Sequence, residues 1–263
     1  MIKLFAWAVP VWPGALVDHT WVTTYDNRHT VYDNISQVAQ AREFYWYCWG
    51  SFHPHGGTPN NPTGFLGDLT GDLDLAQCLV KPNADSRTDA AARGTIFIYG
   101  VDGVCHQLAN QVLYATGIGG KRPLTVRKAR GYIASVFIYG TYGLQAAAWA
   151  NRLASCSAPS VAALGAITMP GLPDDFESRA REVLGDDAKL LADLLALREE
   201  TNRFAAQKWP GSPPSAATLN ARNQHLIEQA AKLLGPEKFT AIFGFAPDQK
   251  IDLVDPNIQQ DHR

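Results

Sequence analysis

The stretch Thr95-Ile-Phe-Ile-Tyr-Gly-Val-Asp-Gly-Val-Cys105-His-Gln-Leu-Ala-Asn-Gln-Val-Leu-Tyr-Ala-Thr-Gly117 decides how this chain is read. Its first five residues are β-branched or aromatic and read as a buried strand, and Gly100 and Gly103 mark a sharp turn. Leu108, Ala109, Val112 and Leu113 then repeat at helical spacing before Gly117, a residue suited to a left-handed helix stop. Cys105 therefore falls in the first turn of a helix. The unpaired N–H groups there carry partial positive charge, which favours thiolate over thiol and can stabilise an oxyanion. The placement predicts a nucleophilic cysteine; the alternative is that Cys105 serves as a small buried hydrophobe.

Composition bounds the class. With 263 residues and 46% hydrophobic content, the chain can bury a real core as one large domain, alone or with a sizeable appendage. A formal charge of −2 argues against a surface dedicated to nucleic acid or anionic lipid. No run of about 18 apolar residues appears, so no membrane span is expected. The start, Met1 to Pro10, reads as a first strand without a cleavage site after it, which points to a cytoplasmic protein or one exported without a cleavable signal. Cys48, Cys78, Cys105 and Cys156 lie far apart, which predicts neither a disulfide scaffold nor a zinc site and fits a reducing compartment. Asp68, Asp72 and Asp74 lack the loop spacing and terminal Glu of a calcium site, and Gly119-Gly120-Lys121 lacks the phosphate-loop spacing. No metal and no cofactor is expected.

Three aromatic and β-branched stretches, Leu4 to Val11, Leu16 to Tyr25 and Glu43 to Phe52, read as strands. If the second and third pair antiparallel, opposed residues have numbers summing to about 70–72. Residues 53–94 read as a long loop, Ala129 to Gly140 as a buried strand, and Leu144 to Ala154 as a helix. From Pro173 the texture becomes charged and helical. Phe176, Ala180, Val183, Leu184, Leu191, Leu194 and Leu195 trace one long helix, and Leu219, Leu226, Ala230 and Leu233 another after the Pro210 to Ser215 break. These helices are expected either to pack on the core as a hairpin or to offer a surface to a protein partner. The tail after Pro247 is expected to be poorly ordered. The expected division is a catalytic domain over 1–170 and a helical C-terminal extension over 171–263.

A cysteine nucleophile needs a base. Of the seven histidines, His106 follows Cys105 directly, and on a helix its side chain points about 100° away. His225 and His262 belong to the distal helical part and the tail, leaving His19, His29, His53 and His55. His19 opens the strand-like run Asp18-His19-Thr20-Trp21-Val22.

The order of Leu4 to Val11, then Asp18-His19-Thr20-Trp21-Val22, then Gly103-Val104-Cys105-His106-Gln107-Leu108-Ala109-Asn110 resembles the circularly permuted papain-like folds. That set includes NlpC-type amidases and peptidases, lecithin:retinol acyltransferase-like enzymes and PPPDE deubiquitinating proteins. The resemblance covers roughly residues 1–155 and implies an α+β core, with an antiparallel sheet packed on the cysteine helix and a helical C-terminal extension. It implies Cys105 as nucleophile, His19 as base, and a third polar group on an adjacent strand that orients the imidazole. The strand register makes His53 the candidate for that group, with His55 close behind. Gln107 and Asn110 are either donors to the site or exposed helix polar residues. The implied activity is thiol-dependent hydrolysis of an amide or peptide bond through an acyl-enzyme, with a peptide, cell-wall fragment or other amide as substrate. The alternatives are an acyltransferase or thioesterase with the same dyad, and a non-catalytic binding or effector module.

Overall fold

In the computed structural model, the described residues are 2–12, 14–23, 48–49, 64–71, 98–115, 124–147, 174–205 and 214–256. They form a helix-rich mixture of α and β structure. Strands β1 (Ile2–Pro10), β2 (Asp18–Thr23), β3 (Cys48–Trp49) and β4 (Gly64–Gly71) make an antiparallel sheet in the order β3-β2-β1-β4. β1 and β2 are joined by a turn in which Ala15 N–H donates to Trp12 O (3.0 Å) and Gly14 takes φ 81°. Ala6 and Ala8, two residues apart and so on one face of β1, are both buried.

The register of β2 with β3 agrees with the sequence. Val22 faces Trp49 and Thr23 faces Cys48, pairs whose numbers each sum to 71. β4 is a correction, because Gly64–Gly71 falls inside the expected long loop yet pairs with β1 along its length. Three glycines in eight residues hide a strand from any propensity reading; pairing with β1 supplies what the residues themselves lack.

The cysteine helix α1 (Cys105–Ala115) follows a tight turn in which Gly100 has φ 81° and Gly103 O accepts from Gly100 N–H (2.8 Å). The next element corrects the sequence reading. The expected buried strand at 129–140 is a helix, α2 (Tyr132–Tyr139), in which every residue except Ile133 is buried. A run this apolar has no polar face from which its period could be read, so burial alone does not separate strand from helix. Gly131 sits at its N-terminal cap with φ 70°, and a Cβ there would meet Val17 Cγ2 at 2.9 Å. The entry to β2 thus crosses directly over the start of α2, and Asp18 N–H donates to Arg130 O (3.1 Å).

The expected long helix over 176–195 is two, α3 (Asp175–Leu184) and α4 (Ala188–Ala205), divided at Gly185. Asp174 caps α3 by accepting from Glu177 N–H, and Ser215 caps α5 (Ala216–Phe243) by accepting from Thr218 N–H. Gly235, at φ 72°, kinks α5 just before Pro236. The apolar stripes of these helices are buried within the chain itself. Phe176, Phe239, Phe243 and Phe245 cluster with Phe137 of α2, and one core cluster runs from Ala8 to Val254. Arg198 of α4 donates to the Val136 and Phe137 carbonyls at the end of α2 and pairs with Asp174. The tail is also corrected: Ile251, Leu253 and Val254 are buried, because Asn220 holds Val254 by both its N–H and its carbonyl. No helix among the described residues is long and apolar enough to cross a membrane.

Candidate thiol site

Cys105 is the first residue of α1, as its sequence position predicts. Gln107 accepts from Val104 N–H (3.1 Å), which satisfies one of the donors a helix start leaves open. The same side chain donates to Gly140 O (3.1 Å) and Ser135 Oγ (3.3 Å), tying the helix start to α2. Gln107 is therefore fully buried, as are Asn110 and Gln111, so the reading of Gln107 and Asn110 as exposed polar residues is corrected.

The helix start meets β2 at a gap in the sheet. β3 pairs with β2 at Val22 and Thr23, so the outer edge of Asp18–Thr20 has no β3 partner among the described pairs. In an extended strand, the C=O of residue i and the N–H of residue i+2 point to the same edge. Cys105 Sγ lies at that edge, 3.9 Å from Asp18 O, on the side to which the Thr20 N–H also points. His106 Nε2 reaches the same Asp18 O at 2.8 Å. The first two residues of α1 thus occupy the place a further strand would take.

Burial pushes the Cys105 thiol up to about 11, against the lowering pull of the Thr20 N–H, the Thr20 hydroxyl and the His106 N–H, with Asp255 nearby adding a further upward push. The expectation that the helix start holds a thiolate is thereby corrected for the folded chain. A helix terminus contributes only about 0.3–1 kcal/mol at ordinary sites, whereas full burial can shift a pKa by several units, so desolvation wins. At 4% exposure the sulfur is sheltered from solvent.

His19 is also buried, at 1% exposure, on the element that packs against Cys105. The sulfur's hydrogen bond is to the carbonyl of Asp18, the residue before His19. Side chains alternate across a strand, so the side chains of His19 and Thr20 leave β2 on opposite faces. The structure brings Cys105 and His19 onto adjoining elements without joining them by a hydrogen bond. His53 and His55 lie outside the described residues, as does His29.

His106 was set aside in the sequence as a base, and its surroundings give the chemical reason. Asp18 O can only accept, so Nε2 carries the proton of the neutral ring. Nδ1 faces Ser135 Oγ at 2.8 Å, and the Ser135 hydroxyl shares its one proton with Tyr132 O, also at 2.8 Å. Burial holds the imidazole down to about 4, only partly offset by the Asp18 carbonyl and carboxylate. The Asp18 carboxylate is itself engaged by Arg130, through its backbone N–H (2.8 Å) and guanidinium (2.8 and 2.9 Å). His106 is thus a neutral structural tie with both nitrogens occupied. Sequence gave no signal for this role, because its partners come from β2 and α2.

Thr20, buried and with a hydroxyl that has no hydrogen-bond partner among the described residues, is a neighbour that sequence reasoning passed over. Its only mark in the sequence is adjacency to His19. No group of His, Cys, Asp or Glu able to hold a metal ion occurs among the described residues. Set against family models, curated proteins and solved structures, the chain matches none, so what this site does has to be judged from its own residues.

Proposed function

We propose that the chain is a thiol-dependent hydrolase of an amide or peptide bond, on a core similar to the permuted papain-like folds, with Cys105 as nucleophile and His19 as base. The observation that carries this reading is the position of Cys105 as the first residue of α1, after a tight glycine turn, against the strand that bears His19. In the reaction, His19 takes the thiol proton and Sγ forms a bond to the carbonyl carbon. The resulting oxyanion is held by the Cys105 N–H and one further donor. The carbon–nitrogen bond breaks as the leaving amine takes the proton from His19, and water then releases the acyl group from sulfur. His53, or failing it His55, orients the imidazole. Because the resting sulfur bonds to Asp18 O, the pair has to close on substrate binding, as catalytic hydrogen bonds often do. An acyltransferase or thioesterase would use the same acyl-enzyme with another acceptor.

A second reading, a non-catalytic binding module on the same fold, is favoured by the burial of Cys105 and by its raised thiol. The two separate by experiment. Amide turnover on a panel of peptide and cell-wall substrates is expected to fall by on the order of a thousandfold or more in Cys105→Ser and in His19→Ala, with the double variant little worse than either. Turnover that survives Cys105→Ser sinks the catalytic reading.

A further inference from the structure

The turn that delivers Cys105 is gripped from outside by a part of the chain far away in sequence. Gly100 stands in that turn with φ 81°, and a Cβ there would meet Val254 Cγ1 at 2.7 Å and Leu219 Cδ1 at 3.0 Å. The approach is closer than a residue with a side chain would permit. Val254 is held there by Asn220 of α5, whose Nδ2 donates to Val254 O (2.8 Å) and whose Oδ1 accepts from Val254 N–H (2.9 Å). One side-chain amide thus satisfies both backbone groups of a buried residue, as a neighbouring strand would. On either side of it, Ile251 N–H donates to Gln224 Oε1 (3.1 Å) and Asp255 N–H donates to Tyr99 OH (3.3 Å). A second grip comes from the next turn of α5, where Asn223 donates to Tyr139 OH (2.9 Å), which itself donates to Gly100 O (2.8 Å). Asn220 and Asn223 are both buried, so these bonds are made away from competing water.

We infer that Asn220 is a positioning residue for Cys105: by clamping Val254 onto Gly100, it keeps the turn before α1 in the shape that starts the helix at the thiol. Residues Ile251 to Asp255 are then a strap across that turn, and the C-terminal helices belong to what holds the thiol site. The strap forms neither helix nor strand, and its backbone is bonded by the side chains of Asn220, Gln224 and Tyr99. Loss of one of those side chains therefore loosens strap and turn locally, while the rest of α5 stays folded. The inference rests on the thiol reading for its purpose, but the hold on the turn can be measured without any substrate.

The experiment is alkylation of the full chain by iodoacetamide at one pH, with Cys105 followed by peptide mass mapping over a series of urea concentrations below the unfolding transition. Asn220→Ala is expected to speed Cys105 labelling by about tenfold or more, with a urea dependence much shallower than that of global unfolding, because a local opening exposes less surface than complete unfolding. A role confined to stability predicts instead that labelling rises only through global unfolding, with its full urea slope. That result, or labelling of Asn220→Ala as slow as that of the parent chain, overturns the inference. Should Asn220→Ala fail to fold, Val254→Ala keeps both backbone bonds to Asn220 and removes only the methyl groups set against Gly100, and the same two outcomes decide. Absence of amide turnover in the parent chain would count against the hydrolase reading and leave the labelling comparison standing.

Discussion

Successive turns of α1 carry two buried polar clusters that are satisfied to different degrees. In the second turn, Asn110 donates to Tyr132 OH (2.9 Å) and Thr141 O (2.8 Å) and accepts from Val126 N–H (2.9 Å). Tyr132 OH and Thr125 Oγ1 both donate to Asp175 at 2.7 Å, and Gln111 donates to Tyr142 O at 2.8 Å. In the first turn, Sγ has only a weak 3.9 Å bond to Asp18 O, and the buried Thr20 hydroxyl has no hydrogen-bond partner among the described residues. A buried network whose members are all bonded serves to specify one packing, whereas a buried polar atom left without a partner calls for an explanation such as a role in chemistry. On this comparison the Asn110 cluster is scaffold, and the Cys105 cluster is where the proposed chemistry would act.

The largest effect that would sharpen this contrast comes from Asn110. Asn110→Ala removes three good hydrogen bonds at a fully buried position and strands the Val126 N–H, at an expected cost on the order of 4 kcal/mol. Urea unfolding measures it. By the same measure Cys105→Ser should cost well under half as much, and equal losses at the two sites would erase the distinction drawn between them.

The next effect depends on pH. His106 is held at about 4 in the folded chain against an ordinary 6.5, so the unfolded chain takes up a proton that the folded one refuses. Its contribution is complete above about pH 6.5 and is lost as pH falls toward 4, amounting to about 3 kcal/mol at most. Stability measured from pH 7.5 to 4 should decline more steeply in the parent chain than in His106→Gln, after other titrations are subtracted as common to both. Parallel curves would show that His106 is not a buried neutral tie.

The smallest effect lies far from either cluster. Ser215 caps α5 at 3.2 Å from Thr218 N–H on an exposed surface, and Ser215→Ala is expected to cost about 1 kcal/mol, read as a small drop in Tm. Cys105 alkylation should not change. A changed labelling rate would mean that the start of α5 is coupled to the thiol site. A route for such coupling exists, since Asn223 of α5 bonds Tyr139 OH (2.9 Å), which in turn bonds Gly100 O (2.8 Å) in the turn before Cys105.

Local pattern determined those elements whose residues advertise a period or a boundary. Helix α1 begins at Cys105 because Gly100 and Gly103 stop the preceding segment and apolar residues recur at helical spacing beyond it. β1 and β2, and the register of β2 on β3, follow from alternating aromatic and β-branched residues around a glycine turn. Tertiary structure alone decided what has no local signature. Tyr132 to Tyr139 is apolar on every side and became a helix because α1 and the C-terminal helices enclose it. Gly64 to Gly71 became a strand because β1 offered it an edge. The ionisation of Cys105 was likewise beyond the sequence. A helix start predicts thiolate, but the sulfur is buried against the edge of β2, and the desolvation this imposes outweighs the helix terminus.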